Sequence, residues 1–233
     1  MNFHYDEEAI RYLKEKDAAL GAVIDRIGPI ERPIDADLFS ALVNNIVGQQ
    51  ISMKAQETVW GRMLAKFGAI TPENIQRATV EEIQQCGLST RKATYIHEAA
   101  EKVITGECDL AALRDMSDKD VIDKLSQLRG IGKWTAEMLL IFSMGRPDVM
   151  SWDDLAIHRG LRMLHHHRKI TKELFQKYKR RYSPYGSVAS LYLWEVSVGI
   201  LPEMKDYAPL TEAEKKKRLK QRKELKRAEK QTL

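Results

Sequence analysis

Apolar residues recur along this chain at the three- and four-residue spacing of a helix face, and no stretch alternates apolar with polar residues as a half-buried strand does. Ile10, Leu13, Leu20, Val23, Ile24 and Ile27 mark an N-terminal helix or pair of helices, closed at the Gly28-Pro29 breaker. Leu38, Leu42 and Ile46 form one stripe and Ala55, Val59, Met63 and Leu64 another, which predicts two helices jointed near Gly48. Thr71-Pro72-Glu73 places proline at a helix start, and Thr79 followed by Glu82 reads as a capping box. Arg91 to Ile104 reads as a further amphipathic helix. Ser117 and Asp120 repeat the capping pattern ahead of Val121, Ile122 and Leu125, and a last clear helix runs from about Lys133 to Ser143. The fold class predicted is all-α.

Composition bounds the rest. The 233 residues, 43% hydrophobic and 30% charged, are enough for a real core in one domain or two small ones. No run of about eighteen apolar residues exists, and the opening MNFHYDEEAIRYLKEKD is acidic and amphipathic where a signal peptide is basic and then apolar. A soluble, cytoplasmic protein with no membrane association is expected. Two cysteines, Cys86 and Cys108, are too few for a disulfide framework, a four-thiolate zinc site or an iron-sulfur cluster. No cofactor and no metal held by side chains are expected. The net charge of +5 suggests nucleic acid until it is divided along the chain. Residues 212–233 hold ten Lys/Arg and four Glu, and the remainder holds 28 basic against 29 acidic residues. The excess therefore lies in a tail, KKKRLKQRKELKRAEK, which reads as a frayed helix or mobile arm and suits a phosphate-binding arm and a solvated surface equally.

Candidate chemistry starts at Leu128-Arg129-Gly130-Ile131-Gly132-Lys133-Trp134-Thr135-Ala136, between two predicted helices. Two glycines one residue apart let the backbone turn without a Cβ clash and approach another molecule closely. The free amides at the start of the second helix then make an anion site fit for a DNA phosphate. A bare Gly-Ile-Gly is also ordinary punctuation between packed helices. Downstream, Met150-Ser151-Trp152-Asp153-Asp154-Leu155 sets an Asp pair before an apolar helical stripe, Leu155, Ile157, Leu161 and Leu164. One Asp suffices as a helix cap. Asp153 is read as the cap and Asp154 as a carboxylate held at a cleft, although the local pattern supports the opposite assignment as well.

LRGIGKWTAEMLL followed by MGRPDVMSWDDLAIHRGL, with NNIVGQQISMKA and CGLSTRKATYIHEAA before them in that order, closely resembles the helix-hairpin-helix DNA glycosylase superfamily. The branch it looks like is the bacterial alkylpurine (3-methyladenine) DNA glycosylase II family, over about residues 5–200. The resemblance implies two helical subdomains flanking a DNA-binding cleft: residues 1–35 with 147–210, and a central unit 36–146 carrying the hairpin at about 118–143, followed by the basic tail 211–233. The N-terminal β domain of some members has no counterpart in this reading. By the same resemblance the catalytic carboxylate is Asp154, and base-stacking aromatics fall on Trp134 and Tyr185. Trp152 is a candidate pocket wall, with a buried core indole as the alternative. DNA contacts fall on Gly130, Gly132, Lys133, Thr135, Gln49 and Gln50, with Gln50 where relatives place a wedge residue, in some of them apolar. Backbone carbonyls of Leu128 and Ile131 would hold a monovalent cation. Bifunctional members carry a Schiff-base lysine where this chain has Trp134, so no lyase activity is expected.

Cutting a bond between base and deoxyribose passes through an oxocarbenium-like sugar, which a fixed carboxylate stabilises. Purines alkylated at N3 or N7 are cationic leaving groups that need no general acid, and an aromatic cleft favours such cations. The expected partner is double-stranded DNA containing alkylated bases, bound by a monomer. His165-His166-His167 is read as surface, since three adjacent residues cannot share one helix face, and Trp194 and Tyr192 are read as core. The competing readings are a glycosylase for another lesion and a non-catalytic DNA-binding module; the second leaves the Asp pair and the aromatics unexplained.

Overall fold

The computed structural model describes residues 2–209; the basic tail lies outside them. Among the described residues the chain forms twelve α-helices, one 3₁₀ turn and no sheet. The helices are α1 (Glu7–Lys16), α2 (Ala18–Ile27), α3 (Leu38–Gly48), α4 (Met53–Phe67), α5 (Pro72–Arg77), α6 (Val80–Gln84), α7 (Thr90–Ile104), α8 (Asp118–Leu125), α9 (Lys133–Phe142), α10 (Leu155–His165), α11 (Lys172–Tyr182) and α12 (Gly186–Val198). Most start where a short polar side chain can accept from the first turn: Asp6, Asp17, Asp37, Ser52, Thr71, Thr79, Ser89, Ser117 and Thr171 all do so, with Thr79 and Glu82 closing the expected capping box. The α9 start, at Gly132, has no side-chain cap.

The helices pack in two groups. α3 lies on α4, α7 and α9, with α5 and α6 on α7 and α8 on α9; α1, α2, α10, α11 and α12 pack on one another. The chain passes from the first group to the second through residues 146–154, which are pinned on both sides. The Arg146 guanidinium donates to the carbonyls of Arg114 and Met116 at 2.8 and 2.9 Å. Asp148 accepts from Ser183 Oγ at 2.5 Å and from the Gly186 amide at 3.0 Å.

Two features hold the second group. Gly160 on α10 faces the α12 backbone so closely that a Cβ there would sit 2.4 Å from the Leu193 carbonyl oxygen. The other is polar. Asp17, the cap of α2, is buried and also accepts from Arg181 at 2.8 Å and from Tyr182 Oη at 2.9 Å, with His165 Nε2 at 3.3 Å. Burial alone would raise the pKa of this carboxyl, but hydrogen bonds from His165 and Arg181 hold it well below the usual carboxylate range. The surface reading of the histidine tract is thus corrected. α10 ends at His165, the chain turns through a left-handed His166 (φ 58°), and the three rings leave in different directions. His165 joins the Asp17 cluster, His166 is exposed, and His167 meets Tyr178 Oη at 2.7 Å.

Gly160→Ala is expected to lower stability by about 1–3 kcal/mol through overpacking of α10 on α12, read as a fall in the urea midpoint. Asp17→Asn keeps a capping side chain and removes the charge, so it should cost roughly 3 kcal/mol at neutral pH. A depressed carboxylate contributes stability above the unfolded pKa of about 4 and loses it as pH falls through the folded value. The gap between wild type and Asp17→Asn should therefore narrow below pH ~4; an equal gap at pH ~3 and ~7 would remove the charge from the explanation.

Candidate active site

Asp154 sits where α9, α10 and α12 meet. It is the N-cap of α10, in extended conformation (φ −88°, ψ 107°), with Oδ1 accepting from the amides of Ala156 at 2.8 Å and Ile157 at 3.1 Å. The expectation that Asp153 caps is corrected: the helix starts one residue later than that reading required, and Asp153 is exposed outside it. The other oxygen, Oδ2, accepts from the Trp134 indole Nε1 on α9 at 3.0 Å and the Trp194 indole Nε1 on α12 at 3.2 Å. All four contacts are N–H donors, the complement of an ionised carboxylate, which only accepts. The helix start adds the positive end of its dipole.

This carboxylate lines an open cavity of about 440 Å³ with Arg32, Asn45, Trp134, Met138, Phe142 and Trp194. Trp134, Met138 and Phe142 recur every fourth residue on α9 and so share a face. Trp134 is 41% exposed, so its ring is accessible to a ligand. The Phe142 and Trp194 rings lie 5.5 Å apart in the cavity lining. Arg32 pairs with Glu195 at the rim. Of these residues only Trp134 and Asp154 were singled out from sequence. Trp194 reads as core because α12 is apolar nearly all round; the signal that could have found it is its indole N–H, which needs an acceptor that an apolar core does not supply.

Two expected pocket residues lie elsewhere. Tyr185 precedes α12 and packs edge-on against Tyr12, with centroids 5.3 Å apart. Trp152 turns away from Asp154 and packs against Phe175 and His158, whose Nε2 donates to the Trp152 carbonyl at 2.8 Å. Burial there pushes the His158 pKa down. Neither aromatic lines the Asp154 cavity: the Trp152 ring packs on His158 and Phe175, and Tyr185 packs on Tyr12 of α1.

The hairpin joins α8 to α9. Gly130 has φ +86°, and a Cβ there would come within 2.5 Å of the Tyr95 ring, so the turn requires glycine twice over. Gly132 has neither constraint, since an added Cβ would meet nothing within 4 Å. Lys133 is exposed, with Nζ 3.9 Å from Glu137 Oε1. Thr135 is buried, and as the third residue of α9 its backbone amide is among those that the helix start leaves without an intrahelical partner. The Leu128 carbonyl accepts the Ile131 amide at 3.0 Å, leaving one lone pair for the cation that the resemblance implied.

The α3–α4 joint lies beside the hairpin and is bonded to it. Gln49 Nε2 donates to the Gly130 carbonyl at 2.7 Å, and Lys92 Nζ donates to the carbonyls of Val47 and Gln49 at 2.9 and 2.6 Å. Burial pushes the Lys92 pKa down. Gln49 is thus used within the fold, while Gln50 is exposed at the tip with φ +58°.

One buried carboxyl remains. Glu137, on α9, is 3% exposed and accepts from Ser151 Oγ, which is also buried. Burial pushes its pKa up, partly opposed by the Ser151 hydrogen bond and by Lys133. Among the described residues no three His, Cys, Asp or Glu side chains group as a metal site, and no helix is long and apolar enough to cross a membrane.

Residues 43–184 match the family profile described as HhH-GPD superfamily base excision DNA repair protein. The chain is 37% identical over 164 residues to DNA-3-methyladenine glycosylase 1 of Schizosaccharomyces pombe, covering 68% of this chain and 72% of that protein. Its fold is similar to the crystal structure of a DNA-3-methyladenine glycosidase from Bacillus halodurans, with a TM-score of 0.78 and 33% identity over 88% of this chain and 95% of the other. It is also similar to a 3-methyladenine DNA glycosylase of S. pombe solved with abasic DNA, with a TM-score of 0.73 and 30% identity over 87% and 100% of the two chains.

Because Asp154 is both cap and cleft carboxylate, its two duties separate by substitution. Asp154→Asn keeps an oxygen for the cap but sets its NH2 against the Trp134 and Trp194 N–H donors, so it should lose about 1–3 kcal/mol, and Asp154→Ala, which removes the cap as well, should lose about 0.5–2 kcal/mol more. Thermal melting of the pair checks this, and equal losses would mean the cap contributes nothing.

Proposed function

Since the chain belongs to the HhH-GPD superfamily of base excision DNA repair proteins, we propose that it hydrolyses the N-glycosidic bond of alkylated purines in double-stranded DNA, as a monofunctional, monomeric glycosylase acting within the cell. The observation that carries the proposal is Asp154 Oδ2, fixed by two indoles in the lining of an aromatic cavity.

The chemistry follows from that placement. In an N3- or N7-alkylated purine the positive charge on the ring lets the C1′–N bond break with both electrons passing to the base, which leaves neutral. The sugar becomes oxocarbenium-like, and a carboxylate held near C1′ stabilises it. At about 4 Å and an effective dielectric of about 20 the attraction is roughly 4 kcal/mol, about a thousandfold in rate. Water then bonds to C1′ and gives its proton to Asp154 or to solvent. Both indole N–H groups are engaged by Asp154, so the rings meet a base through their faces, which attract cations. Charge and shape then select the base, and a broad range of alkylated purines is expected.

Lyase chemistry needs an amine at the sugar. Trp134 stands where bifunctional relatives place it, and the neighbouring Lys133 reaches toward Glu137. To reach the cavity the nucleotide must leave the duplex stack. The uncapped start of α9, beside an unobstructed Gly132, suits a phosphate, and exposed Gln50 suits the gap left by the flipped base. The S. pombe relative was solved in complex with abasic DNA, which supports DNA as the partner.

Base release from methylated duplex DNA tests the assignment. Wild type should free 3-methyladenine, Asp154→Asn should lose about a thousandfold in single-turnover rate, and borohydride should trap no protein–DNA adduct. A trapped adduct would overturn the monofunctional reading; a wild type that binds DNA without releasing any alkylated base would overturn the substrate assignment.

A further inference from the structure

Glu137 takes no part in the chemistry above, yet it is the buried carboxyl on the helix that also carries Trp134. The two residues are three apart on α9, so their side chains leave from neighbouring positions. Trp134 reaches Asp154 and Glu137 reaches Ser151, three residues earlier on the same loop. α9 therefore grips the segment 151–154 at both ends, while Trp194 holds it from α12. The Glu137–Ser151 contact is fully enclosed, with side chains 3% and 1% exposed, so water cannot substitute for either partner.

We infer that Glu137 is a positioning residue: its hydrogen bond from Ser151 sets the register of the 151–154 loop against α9, and thereby the place of the Asp154 carboxylate in the cleft. For catalysis this rests on the glycosylase reading, but the positioning itself is a property of the fold. A shift of about 1 Å in such a group can cost on the order of a hundredfold in rate. The required feature is an acceptor at residue 137, not a charge. Glu137→Gln supplies one, whereas Glu137→Ala and Ser151→Ala remove the bond from either side. Ser151→Ala is the milder change and guards against misfolding of Glu137→Ala.

Two readouts are needed. The first is the set of indole N–H resonances in ¹H–¹⁵N spectra, with those of Trp134 and Trp194 assigned by Trp→Phe variants. In Ser151→Ala and Glu137→Ala both should shift and exchange faster with solvent, while that of Trp60 on α4, outside the loop, stays in place and Glu137→Gln resembles wild type. The second is single-turnover base release, which should fall roughly ten- to a hundredfold in the two deletion variants and by no more than about threefold in Glu137→Gln, with affinity for abasic DNA unchanged. Unmoved Trp134 and Trp194 resonances in Ser151→Ala, or a Glu137→Gln as perturbed as Glu137→Ala, would overturn the inference. Indole shifts as expected, in a protein that releases no base even as wild type, would leave the positioning standing and remove the glycosylase reading.

Discussion

The convergence of four N–H groups on one carboxylate is the constraint around which this molecule is arranged. Asp154 receives two amides from the helix it begins and two indoles from helices far apart in sequence. Each donor is useful only if α9, α10 and α12 are held to within a few tenths of an ångström, because hydrogen bonds weaken quickly with distance and angle. Much of the surrounding fold serves that tolerance. Gly160 lets α10 and α12 approach at backbone distance, next to the residue that carries the second indole. Arg146 and Asp148 fasten the entering loop to both helix groups.

The same carboxylate joins stability to chemistry. A helix cap is ordinarily a surface convenience, met by any of several short side chains, and nine other helices here are begun that way. At α10 one oxygen performs that task and the second is left for the cavity. The cap fixes the side-chain torsions, so the oxygen left for the cavity has no rotamer freedom to lose when a ligand arrives. The polar cluster around Asp17 does for the α1–α2 corner, α10 and α11 what Asp154 does for the cleft, with Arg181, Tyr182 and His165 closing on one buried carboxylate.

Helix positions were readable from sequence because apolar spacing and capping residues are local properties: the Thr79–Glu82 box, the break at Gly28-Pro29 and the Lys133 start all recur in the structure. The resemblance to the helix-hairpin-helix family points to Asp154 and Trp134, which the structure brings together at the cavity, whereas the Asp pair alone leaves 153 and 154 open. What was not readable depends on direction in space. Trp152 and Tyr185 are aromatic residues near the right loops, but one points into the α10–α11 side and the other toward α1. Trp194 sits in a run of apolar residues that says only that α12 is buried. Which of Asp153 and Asp154 caps turned on a single residue in the helix start, below the resolution of any periodicity. The histidine tract misled because adjacency in sequence says nothing about rings that leave a helix end in three directions.

The bond from Gln49 to the Gly130 carbonyl, with Lys92 clamping the carbonyls beside it, joins the α3–α4 tip to the hairpin turn as a single piece. A molecule that grips a phosphate with one of these segments and fills a vacated stack with the other then works as a caliper of fixed span. Under the proposed function its two points would keep their spacing on the duplex, so the duplex would bend to suit them and would open most easily where a damaged pair has already made the helix compliant.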